Sequence, residues 1–183
     1  MPTDEYQHLR ERGLTQESIY RGRVVKLRVD TVALPDGQMA NREIVEHPGA
    51  VAILPITDDG QVVMVRQFRY AIGRITLEIP AGTCEPGEDV DDTARRELLE
   101  ETGFEAGSWS YLGEFFVAPG YSTELIRLYE ARGLSAAAGG RPLADDYVDP
   151  LLMPLAEAIA MVKDGRITDA KTLIGILRLA SGR

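Results

Sequence analysis

The chain has 183 residues, with 20 Lys+Arg against 29 Asp+Glu and a formal charge of −9. That length suits one domain that buries its own core, and 44% apolar with 27% charged residues excludes a disordered or low-complexity chain. The acid surplus excludes a nucleic-acid backbone as partner, and no apolar run reaches the roughly 20 residues of a membrane helix. The polar start, MPTDEYQHLRERGLTQE, lacks the apolar stretch of a signal peptide, and the single cysteine, Cys84, suits a reducing cytoplasm.

Residues 1–18 show no apolar period and are expected as a frayed arm or a short helix. Residues 24–32 (VVKLRVDTV) read as a strand, Leu34-Pro35-Asp36-Gly37 as its turn, and 42–47 as the returning strand. The continuous apolar run AVAILPI at 50–56 reads as a buried strand. Asp58-Asp59-Gly60 signals a hairpin into a strand at 62–68, and 76–79 adds a short strand before Pro80. Residues 89–101 are rich in Ala, Arg, Leu and Glu and predict a helix that Gly103 stops. Strands are expected at 111–117 and 125–131, a Gly-rich loop at 135–142, and two closing helices at 155–162 and 170–180. Trp109, Tyr111, Phe115 and Phe116 are expected to fill the core. This order gives a mixed α/β domain with helices packed on a mixed sheet.

The chemistry concentrates in GTCEPGEDVDDTARRELLEETGF, residues 82–104. On a helix Glu97, Glu100 and Glu101 stand at i, i+3 and i+4, so three like charges share one face, while Ala94 and Leu98 form an inward stripe. Carboxylates near a helix C-terminus also oppose the macrodipole. A bare acidic run of this kind is ordinarily a solvated face. The flanking glycines Gly82 and Gly103, placed for a tight entry turn and a C-cap, favour a built site instead. An all-carboxylate set without His or Cys suits a hard divalent cation, Mg²⁺ first, and Arg96 can hold one carboxylate by a charge-assisted bond.

Gly82, Glu88, Arg96-Glu97-Leu98, Glu100-Glu101 and Gly103-Phe104 resemble, at every defined position, the signature of the Nudix hydrolases. The resemblance implies a metal-binding loop–helix–loop on an α/β/α sandwich with a mixed sheet, and cleavage of a nucleoside diphosphate linked to a further group. It implies Glu97 and Glu101 as principal ligands, Glu100 as a further ligand or the base, and the carbonyl of Ala81 as another ligand. Two or three ions are implied, Mg²⁺ or alternatively Mn²⁺, with Gly82, Glu88, Arg96 and Gly103 in support.

Across nearly all of residues 19–180 the chain resembles the ADP-ribose pyrophosphatase branch. Pro119 within APGYSTE (the stretch that holds Glu124), the pair Arg42-Glu43 in NREIVEHPGAVAILP, the VRQFRY strand and the C-terminal GRITDAKTLIGIL carry the likeness. The resemblance implies that Arg69, with Arg66 as a second candidate, reaches the diphosphate, and that Arg42 and Glu43 contact nucleotide from a partner subunit. Glu124 is a further substrate candidate, and Tyr20 is the nearest candidate to stack on the base. Relatives carry a loop glutamate before the penultimate helix as base or ligand. Here that stretch is LADDYVD, so Asp145 and Asp146 (with Asp149 beside them) are its candidates.

The expected organisation is an arm at 1–18, an antiparallel strand extension at 19–48 that swaps in a homodimer, and a Nudix domain at 49–183. The expected reaction is metal-dependent hydrolysis of ADP-ribose to AMP and ribose 5-phosphate. The alternatives are another nucleoside diphosphate derivative (a nucleotide sugar, a dinucleoside polyphosphate or an oxidised nucleotide) or a sensor that binds ADP-ribose without cleaving it. Such sensors usually carry a damaged signature, whereas this one is intact.

Overall fold

The computed structural model describes residues 4–138 and 147–182. The chain divides into two compact units, one of residues up to 48 with 116–125, the other of 49–115 with residues from 126 onward.

The first unit is an antiparallel sheet of β1 (Arg12–Arg21), β2 (Lys26–Ala33) and β3 (Met39–Glu46), with β2 in the middle. The turn at residues 34–37 closes as the sequence indicates, with the Gly37 N–H donating to Leu34 O at 2.9 Å and a positive φ of 86°. β1 lies where an arm or short helix was expected; among the described residues of that stretch, the 3₁₀-helix Asp4–Leu9 is the helical part. The reason for the miss is physical. Every residue of β1 is exposed, so no face is buried to impose a period of two, and backbone pairing to β2 holds the strand. The segment 116–125 joins this unit through the Val45 N–H bonded to Tyr121 O at 2.8 Å.

The second unit is built around β4 (Ala50–Pro55), buried at every residue. Its alternation sends Ala50, Ala52 and Leu54 to one core and Val51 and Ile53 to another, as a strand covered on both faces requires. β4 pairs antiparallel with β7 (Ala81–Thr83) and parallel with β9 (Leu125–Ala136), and β8 (Phe104–Phe116) flanks β9, so this sheet is mixed. A second sheet places β5 (Gln61–Arg69) between β6 (Arg74–Glu78) and β10 (Asp149–Pro154), all antiparallel. α1 (Val90–Thr102) covers the Val51–Ile53 face, with Ala94 and Leu98 in that core. α2 (Leu155–Lys163) and α3 (Ala170–Ala180) cover the other, through Ala158 and Ile176. The result is the α/β/α layering that the sequence resemblance implies.

Two further strands escape the sequence reading. β7 is three residues long, too short to show a period, and β10 contains two prolines, which mark it down as a strand. Tyr111 and Phe116, expected in the core, are instead 55% and 59% exposed. Trp109 and Phe115 are partly buried against the two cores. No helix of the described residues is long and apolar enough to cross a membrane.

Candidate active site

α1 begins at Asp89, whose carboxylate accepts the Asp91 N–H at 2.9 Å, and ends at Gly103, with φ 73° and its N–H on Leu99 O at 2.8 Å. Between these caps the helical period presents Glu97 and Glu100 toward one side. Glu101, three residues beyond Leu98, falls on the edge of the inward stripe and is only 8% exposed.

The entry segment meets this face. The Ala81 N–H donates to Glu101 Oε2 at 3.0 Å. Gly82 lies so close to Glu97 that a Cβ there would overlap its carboxyl group, which explains a glycine at a position with no unusual φ. Arg96 ties the remaining carboxylates together. Its Nε and Nη2 grip Glu88 at 2.8 and 2.9 Å, and its Nη1 reaches Glu97 at 2.7 Å and Glu100 at 3.1 Å.

The electrostatics follow from these contacts. Burial pushes the Glu101 carboxyl up to about 7; the Ala81 N–H, Arg69 and Lys171 oppose the rise and Glu97 adds to it. Burial raises Glu97 as well, against the pull of Arg96. The Arg96 guanidinium holds Glu88 down at about 2. A buried glutamate that resists ionisation beside further carboxylates is a group that a divalent cation would stabilise. The three glutamates offer oxygens of the kind hard cations take. Among the described residues no three His, Cys, Asp or Glu side chains already stand as a cation cage, since Arg96 bridges Glu88, Glu97 and Glu100. The donor chemistry fits a divalent ion, and Arg96 holds two of these carboxylates, Glu97 and Glu100.

The other candidates divide between the units. Arg66 and Arg69 lie on β5 in the second unit. Arg66 stands 3.6 Å from Asp149, its register partner on β10, so Asp149 belongs to a strand end. Asp145 and Asp146 lie outside the described residues. Tyr20, Arg42, Glu43, Pro119 and Glu124 belong to the first unit. There Tyr20 is exposed on β1, and Arg42 is held by Glu11, with its Nε on Oε2 at 2.9 Å. Pro119 lies in a turn where the Ser122 N–H bonds to Ala118 O at 2.9 Å, and the Glu124 N–H bonds to Ser122 Oγ at 3.1 Å.

Sequence reasoning missed Glu78, Thr76 and Lys171. Glu78 is 1% exposed and takes both Arg69 and Lys171 as partners. The available signal was a glutamate inside the apolar run TLEIP and a lysine inside the apolar helix that begins after Asp169.

A glutamate-lined helix, an entry glycine pressed on a carboxylate and an α/β/α frame define an α/β protein with a carboxylate site built on one helix. The NUDIX domain family matches residues 46–174, and the chain belongs to that family. It is 47% identical over 167 residues to a methanol dehydrogenase activator of Bacillus methanolicus, covering 91% of this chain and 90% of the relative. It is 41% identical over 169 residues to an ADP-ribose pyrophosphatase of Bacillus subtilis, covering 92% and 91%. A crystal structure of an ADP compounds hydrolase matches its fold with a TM-score of 0.81 at 22% identity, over 94% of this chain and 93% of that one.

Proposed function

We propose that this chain hydrolyses the diphosphate of ADP-ribose, giving AMP and ribose 5-phosphate. The observation that carries the reading is the meeting of Glu97 and Glu101 with the Ala81–Gly82 segment, which gathers hard oxygen donors around a buried carboxylate. The near full-length likeness to a protein named ADP-ribose pyrophosphatase supports the substrate.

Glu97, Glu100, Glu101 and the Ala81 carbonyl would hold two or three divalent ions, Mg²⁺ first and Mn²⁺ as an alternative. Such ions neutralise a diphosphate and favour ionisation of an attacking water. The protein's own groups do the rest. Glu88 orients Arg96, and Arg96 steadies Glu97 and Glu100. Glu100, or an aspartate of the 145–149 stretch, takes the proton of the water. Arg69, seconded by Arg66, grips the diphosphate and compensates its charge.

The proposal extends to a homodimer in a reducing cytoplasm, with Arg42 and Glu43 offered to the partner's nucleotide and Tyr20 to its base. Glu124 and the turn at Pro119 would complete the substrate surroundings.

Glu101→Gln tests the reading, because it keeps the shape and removes the charge. The expected result is a loss in kcat well above tenfold, more than about 1.4 kcal/mol of barrier, with the fold intact. A loss below tenfold would contradict the metal assignment.

A further inference from the structure

A carboxylate buried as deeply as Glu78 calls for a reason other than stability. It is the last residue of β6, between Leu77 and Ile79, where an apolar residue would serve the core at lower desolvation cost. Four donors converge on it instead. Its Oε1 accepts Arg69 Nε at 2.8 Å and Thr76 Oγ1 at 2.5 Å, and its Oε2 accepts Arg69 Nη2 at 2.6 Å and the ammonium of Lys171. Lys171, 9% exposed, also donates to Asp169 at 2.9 Å. Asp169 in turn caps α3 through the Thr172 N–H at 3.0 Å. Burial raises the Glu78 carboxyl, but Arg69, Lys171 and Thr76 together hold it down at about 2, so it stays ionised.

The member of this cluster that reaches solvent is Arg69, whose side chain is 43% exposed. One edge of its guanidinium, Nε with Nη2, is clamped by Glu78. Its Nη1 has no hydrogen-bond partner among the described residues. The guanidinium also stands within electrostatic range of Glu101. A fork held by one edge has fixed rotamers, and its other edge is presented in a single orientation, which is the requirement for gripping a phosphoryl group.

We infer that Lys171 is a positioning residue for the reaction: reaching from α3 to Glu78, it keeps that carboxylate stationary, and Glu78 aims the free edge of Arg69 at the substrate diphosphate. Thr76 serves the same end from β6. The inference rests on the reading that Arg69 grips the diphosphate, and it adds a dependence on Lys171, a buried residue of α3.

Steady-state kinetics on ADP-ribose with Arg69→Ala, Lys171→Met, Thr76→Val and the double variant Arg69→Ala/Lys171→Met test it. Arg69→Ala should raise KM about tenfold or more. Lys171→Met should raise KM about fivefold and Thr76→Val about twofold, each with a smaller change in kcat. The double variant should have a KM no worse than that of Arg69→Ala, because Lys171 bears on the diphosphate through Arg69, while its pull on Glu101 is a separate effect read in kcat. Lys171→Arg, which keeps the charge, should recover part of the loss. A folded Lys171→Met with unchanged KM, or losses that simply multiply in the double variant, would overturn the inference. Should Lys171→Met not fold, an unchanged KM in Thr76→Val would overturn it equally. An unchanged KM in Arg69→Ala would instead remove the reading on which it rests, and the inference with it.

Discussion

Glu101 carries the sharpest consequence at the level of single residues. Its carboxyl is raised from the ordinary 4.5 to about 7, chiefly by burial, so folding prefers its protonated form. The stability from a raised carboxyl is fully present below pH 4.5 and is lost as pH climbs through 7, by about 3 kcal/mol in all. Glu78 has the opposite sign. Its contribution is present above pH 4.5 and falls away only as pH drops toward 2, so it is constant between pH 5 and 8. The metal-free protein should therefore lose thermal stability from pH 5 to pH 8. A divalent cation should raise Tm more at pH 8 than at pH 5, and Glu101→Gln should flatten both trends. Equal cation-induced shifts at the two pH values would contradict the assignment of Glu101 as a ligand. The spacing of residues 97, 100 and 101 revealed the face they share. It did not reveal the depth of Glu101, which follows from how closely β7 approaches the helix.

At the scale of elements, α1 is the part most plainly written in the sequence. Helix formers, the Asp89 cap and the Gly103 stop fix its bounds to within a residue of those expected. Gly103→Ala places a Cβ at φ 73° and should destabilise the protein by about 1 kcal/mol, read as a lower urea midpoint with unchanged slope. An unchanged midpoint would mean that the helix end is not under left-handed constraint. β1 shows the opposite case, since a strand that buries no face has no periodicity to read. β10 and the cluster around Glu78 were also illegible. Proline masks a strand whose N–H groups are only partly needed, and a charge buried 93 positions from its partner leaves no local trace.

For the whole molecule, β1 poses the question of assembly. It is an exposed edge strand of ten residues, and Leu14, Ile19, Tyr20, Val24 and Val25 of the first unit are exposed apolar side chains. Exposed edges with apolar side chains invite pairing with another chain, which agrees with the proposed homodimer. Sedimentation should give a particle of twice the 20.1 kDa chain. Replacing Leu14 and Ile19 by Ser should shift it to monomer and lower activity on ADP-ribose together. A monomeric parent with full activity would rule out the shared pocket.

The most direct test of the central claim is product analysis of the purified protein with Mg²⁺ over ADP-ribose, ADP-glucose, GDP-mannose, NADH, diadenosine polyphosphates and 8-oxo nucleotides. AMP should appear with the highest kcat/KM from ADP-ribose, and a chelator should abolish it. Faster cleavage of another member would contradict the substrate while leaving the glutamate helix its chemistry. Absence of turnover on every member would contradict the hydrolase itself.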